Sequence, residues 1–170
     1  MASRLLAVLA LLVAAPFVRA EPLDLTNAKN SEAATVLIAR FFENIGLDVF
    51  DKGKETLGLK FGGYTMLAIP YFVEDEACRL NLHIGFKGRK SNIGNAKLLA
   101  LLNEINETYN YAVISMDKNG DLSLRFTLVF DRKLDAKLVH RWLRYVERQA
   151  DGLVYEFNER LLPYQAPSEK

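Results

Sequence analysis

The sequence predicts an α+β domain: a single antiparallel sheet of about five strands with helices packed on it, in the order α-β-β-β-α-β-β-α. Three observations predict it. Leu122, Leu124, Phe126, Leu128 and Phe130 alternate with Ser123, Arg125 and Thr127, the period of a strand with one face in a core. Stretches near 31–45, 95–109 and 135–157 carry apolar residues at helical spacing. Between the first two helical stretches, residues 57–86 hold three strand-like runs separated by turn residues.

The N-terminus carries an address rather than a fold element. One basic residue, Arg4, precedes the uninterrupted apolar run Leu5 to Ala15, Pro16 ends it, and Val18-Arg19-Ala20 offers small residues where a signal peptidase reads them. This order predicts a signal peptide over 1–20, cleavage near Ala20, and a periplasmic or secreted mature protein. The apolar run is well short of the roughly 20 residues that cross a bilayer, so no transmembrane span is expected in the mature chain. Residues 21–30 are polar and expected to be loose, 31–162 form the domain, and 163–170 are a polar tail.

In the first helix, Asn30 or Ser31 can accept a free backbone N–H as a cap, and Ala34, Leu37, Ile38, Phe41 and Ile45 share one face up to Gly46. Leu57, Leu59 and Phe61 then alternate with Gly58 and Lys60. Gly62-Gly63 makes a turn into the apolar run Tyr64 to Val73. Within that run Pro70 lacks an N–H and predicts an edge or a bulge. Glu74-Asp75-Glu76 reads as a polar turn, and Leu80, Leu82, Ile84 and Phe86 alternate on a third strand. Helical spacing returns at Leu98, Leu101, Leu102, Ile105 and Tyr109, and is followed by strands at 111–116 and 122–130. The final helix begins near Leu134 or Asp135, with Leu138, Trp142, Val146 (or Tyr145), Gln149, Leu153 and Phe157 on its inner face; Gly152 offers a bend and Pro163 a stop.

Composition bounds the function. A 50% hydrophobic chain with 11% aromatics is not globally disordered. Removing Arg4 and Arg19 with the leader leaves 20 Lys and Arg against 21 Asp and Glu, a formal net charge of −1, which argues against general nucleic-acid or membrane-surface binding. The single cysteine, Cys78, is either a small residue in or near a turn or the partner in an intermolecular disulfide.

No constellation specifies a reaction. Asp117, Asn119 and Asp121 suggest calcium, but an EF-hand loop needs Gly at its sixth position and Glu at its twelfth, where this loop has Gly120 fourth and Leu128 twelfth. A hairpin turn through Asn119-Gly120 is the better reading. His83 and His140 form no zinc spacing with Cys78, and nothing orients a Cys78–His83 dyad. No phosphate-binding or nucleophile motif is present, so neither a catalytic set nor a metal or cofactor is expected. Asn106-Glu107-Thr108 matches a glycosylation sequon inside a helix, a match that is accidental if the chain is bacterial. One surface pattern remains: Lys133, Lys137, Arg141, Arg144 and Arg148 recur along the last helix. They form either a solvated face or a partner-binding face for something anionic, with Glu147 and Asp151 diluting the field.

The helix ending Leu102-Asn103-Glu104-Ile105-Asn106 is similar to an L-N-x-x-N motif, and Asp117-Lys118-Asn119-Gly120-Asp121-Leu122 to a D-x-x-G-D-L turn. At this separation and in this element order, the pair resembles the YbjN family over roughly Ser31 to Phe157. Members are named as bacterial sensory-transduction regulators and resemble the type III secretion chaperone fold. The resemblance implies that fold, no known reaction, binding of extended segments of partner proteins, and a possible homodimer. It carries over no partner-binding residue, and the export signal departs from cytoplasmic secretion chaperones.

The function expected is an exported, non-enzymatic protein- or peptide-binding module. It would use the open face or edge of its sheet, or a helix groove. The alternative is a small-ligand sensor or enzyme with a pocket between sheet and helices.

Overall fold

The computed structural model describes residues 21–72 and 77–167. The expected signal peptide, the Glu74-Asp75-Glu76 turn and Ser168 to Lys170 lie outside the described residues. The elements are β1 (Leu23–Asp24), α1 (Ser31–Asn44), β2 (Asp48–Lys52), β3 (Leu57–Phe61), β4 (Tyr64–Tyr71), β5 (Cys78–Phe86), α2 (Ala96–Thr108), β6 (Ala112–Met116), β7 (Leu122–Phe130), β8 (Lys133–Leu134) and α3 (Ala136–Leu161). The main sheet has six antiparallel strands in the order β2-β3-β4-β5-β7-β6. From β5 the chain crosses by α2 to the far edge at β6 and returns to insert β7 beside β5.

The fold is therefore α+β as expected, with one more strand in the main sheet. That strand, β2, is short and mostly exposed, and its register breaks between Val49 and Asp51. A bulge destroys the period-two pattern that would betray the strand.

The three helices among the described residues begin at short side-chain caps. Asn30 Oδ1 accepts the Ala33 N–H at 2.9 Å, Asn95 accepts from Lys97 and Leu98, and Asp135 accepts from Leu138 at 2.8 Å. Gly46, at φ 81°, turns the chain out of α1. The helices cover one sheet face with Ile38, Phe42, Leu98, Ile105, Leu143 and Val146, which pack on inward residues such as Leu59, Met66, Leu82, Leu124 and Phe126. No helix among the described residues is long and apolar enough to cross a membrane.

Several expectations need correction. Residues 21–30 are not loose: β1 pairs with β8, the Leu25 N–H donates to Arg132 O at 2.8 Å, and Leu23, Leu25 and Ala28 are buried. Three apolar residues spread over six positions form no period, so only the packing reveals them. Within the polar tail, Gln165 bridges Gly88 and the Ala166 N–H donates to Lys87 O at 2.8 Å. Pro70 is in an interior strand, yet β3 ends opposite Ala68, so β4 has a neighbour on one side only there. Gly152 leaves α3 unbroken; its missing Cβ admits the Tyr109 hydroxyl, which would lie 3.3 Å from that atom. The inner face of α3 is Val139, Leu143, Val146, Ala150, Leu153, Phe157 and Leu161, while Leu138 is exposed. Cys78 opens β5 inside the core, 1% exposed, which removes it from any intermolecular disulfide of the folded chain.

Candidate interaction surfaces

Strand alternation sends every second residue of the sheet away from the helices, and no described helix covers that side. Phe50, Leu67, Tyr71, Val113 and Val129 stand on it, with Phe50 51% and Val129 59% exposed. Across the middle runs the register Gly58, Leu67, His83, Arg125, Val113.

An open groove of about 580 Å³ is cut into this face beside Phe50, Leu67, His83 and Ser123. Two glycines create it. At Gly85 an added Cβ would meet nothing within 4 Å, so the missing side chain is empty space on the groove floor. At Gly58 an added Cβ would lie 2.6 Å from the Phe50 ring. The bulge in β2 thus swings Phe50 across Gly58 as one wall, with Lys60 Nζ 5.4 Å from the ring centroid.

His83 Nδ1 lies 3.1 Å from Ser123 Oγ. Burial, and secondarily the Arg125 guanidinium, lower the imidazole's pKa and favour its neutral form. A Ser-His pair used for acyl transfer has a carboxylate to stabilise the imidazolium. Here the cross-strand neighbour is a cation, which opposes imidazolium formation. The groove thus offers apolar walls beside the His83–Ser123 pair, with Asp51, Asp117 and Asp121 also on its lining. Cys78 faces the core on the opposite side of β5 from His83, so the two cannot form a dyad.

The two sheet edges are guarded differently. On β6 the Asn106 side chain takes both outward groups of Ile114: Oδ1 accepts its N–H at 2.8 Å and Nδ2 donates to its carbonyl at 3.1 Å. The Ala112 N–H is bound to Tyr109 O. On β2 the bulge and the charges of Asp48, Asp51 and Lys52 blunt the edge.

The 117–121 loop is a structural lock. Asp117 Oδ1 accepts the N–H groups of Asn119 and Asp121, and Asp121 accepts from Gly88 N–H and Lys87 Nζ. Only Gly120 takes a positive φ, 85°, so the turn is a three-residue hairpin loop rather than one with Asn119 also left-handed. Buried Asn92, which no sequence pattern flagged, donates to the carbonyls of Gly120 and Tyr164 and ties this loop to the C-terminal segment.

Of the basic residues expected along the last helix, Lys137, Arg141, Arg144 and Arg148 share the solvent face of α3. Lys133 does not join them: it lies in β8 and pairs with Asp24 at 3.4 Å. His140 is on α3, and its carbonyl accepts from Arg144 Nε at 3.4 Å.

The strand order, with the helices on one side, defines an α+β domain whose other sheet face no described helix covers. A family model described as "Putative bacterial sensory transduction regulator", YbjN, matches residues 35–159, and the chain belongs to this YbjN family. Among solved structures the chain is similar to "Crystal structure of YbjN, a putative transcription regulator from E. coli", at 17% identity and a TM-score of 0.53. That likeness covers 76% of this chain and 93% of the other, and it bears on the fold alone. No curated protein matches the sequence significantly.

Proposed function

We propose that the protein is an exported, non-enzymatic binding module of the YbjN type. It holds a segment of a partner protein on the uncovered sheet face, with an apolar side chain of that segment in the Gly58–Gly85 groove. The observation that carries this reading is the groove itself: an apolar hollow on a face where exposed aromatic and aliphatic residues border hydrogen-bonding groups. The sealed β6 edge and blunted β2 edge favour the face over strand addition. Export rests on the order of features in residues 1–20.

Photo-crosslinkers at Leu67 and Val129, compared with one at exposed Lys54, test the face in cells. A partner band at the first two positions that disappears in Gly85→Val supports the reading; equal labelling at all three sinks it. N-terminal sequencing of the envelope fraction tests export, which requires a chain that starts at Glu21. A small-ligand sensor is the second reading, favoured by the His83–Ser123 pair at the groove. A metabolite that saturates at one equivalent and no longer binds in Gly85→Val would replace the peptide reading with it. Light scattering shows whether a second copy of the chain is the occupant.

A further inference from the structure

The geometry points to an anionic phospholipid surface as the partner of the outer face of α3. Lys137, Arg141, Arg144 and Arg148 stand in one row along about 17 Å of helix. All four are exposed, and among the described residues none forms an ion pair. Arg141, Arg144 and Arg148 border an open hollow of about 570 Å³, with Glu147 as the one acid on its lining.

The carboxylates that would neutralise the row are drawn away by the β3–β4 turn. Glu147 lies against Gly62, where an added Cβ would be 1.8 Å from its Oε1. Asp151 accepts the Tyr64 hydroxyl at 2.7 Å. The cations therefore have no ion-pair partner among the described residues, although Glu147 shares the lining of their hollow.

An apolar margin borders the row. Leu138 is 44% exposed, and Tyr111, 75% exposed, meets the Tyr145 ring edge-on at 5.9 Å. Tyr155 continues the line of the row and is almost fully exposed. Cations beside tyrosine and leucine on one exposed helix face match the headgroup boundary, where phosphates meet the guanidinium groups and rings reach the acyl boundary. An acidic protein segment would use the cations but leave the aromatic margin unexplained. With the rest of the chain near neutral, the attraction is local to this face. Since α3 packs on the covered side of the sheet, a domain lying on this helix turns its groove toward solution. The inference does not depend on what the groove holds.

Co-sedimentation tests it, using the chain from Glu21 onward, whose described residues contain the whole described core. The probes are vesicles of phosphatidylcholine alone or mixed with phosphatidylglycerol, and soluble polyglutamate. The expected result is binding to the mixed vesicles only, weakening as salt rises. Replacing Arg141, Arg144 and Arg148 by Gln should weaken partition by roughly fivefold per charge removed. A K29Q/K54Q/K118Q control, which removes as many charges elsewhere, should bind normally. Equal binding to neutral vesicles, unchanged binding of the arginine variant, or capture by polyglutamate alone would each overturn the proposal.

Discussion

At the scale of single residues, the two groove glycines make opposite predictions. Gly85 has ordinary backbone angles and open space at its Cβ position, so Gly85→Val should fold normally and fill the groove. Its denaturation midpoint should match or exceed the wild type, because a β-branched residue also suits a strand. Gly58→Ala drives a methyl into the Phe50 ring and should cost about 1–3 kcal/mol in the same measurement. Equal destabilisation by both changes would contradict the groove geometry. His83 gives a pH prediction. Its folded pKa is lowered below the ordinary 6.5, so the unfolded chain takes up a proton first as pH falls. The stability it contributes is complete above 6.5 and is lost as pH falls from there toward the lowered folded value. His83→Gln should flatten the stability–pH curve in that window, and a slope unchanged from wild type would count against a buried neutral imidazole. The outward positions of Gly58 and Gly85 were readable from strand alternation. That they leave one hollow was not, because Phe50 arrives through a bulge with no sequence signature.

At the scale of elements, the family motifs turn out to be architectural. Asn106 of the first motif seals β6, and Asp117, Gly120 and Asp121 of the second lock the turn against Gly88. Asn106→Ala should leave Ile114 with two unpaired edge groups. We expect a loss of about 1–3 kcal/mol in chemical denaturation, with concentration-dependent association in light scattering as the edge opens. A monomer of unchanged stability would show that solvent satisfies the edge as well as Asn106 does. The helix and strand positions of both motifs followed from periodicity. The hydrogen bonds did not, since Asn106 and Ile114 meet only once α2 lies along β6. For α3, 3.6-residue spacing fixed the helix but placed Leu138 on its inner face. Contact with the sheet chose Val139, and so set the direction in which the arginines point.

At the scale of the whole molecule, the two terminal segments complete the core. Leu25 is almost fully buried, and Leu25→Ala should cost about 2–5 kcal/mol. A chain that starts at Asn30 loses Leu23, Leu25 and Ala28 together and should melt well below one that starts at Glu21. Equal melting temperatures would return residues 21–30 to the status of a loose leader remnant. The structure thus makes the expected cleavage point consequential, because a cut a few residues later would remove β1.

The sequence by itself determined the α+β class, the helices, the strands that alternate cleanly and the family motifs, all of which follow from local period and residue type. The tertiary structure alone decided that residues 21–30 pack, that β2 closes one edge, that two glycines and a displaced ring make a groove, and that Glu147 and Asp151 form no ion pair with the arginines. Those features depend on contacts between residues distant in sequence, and local periodicity carries no information about which distant residue will be the neighbour.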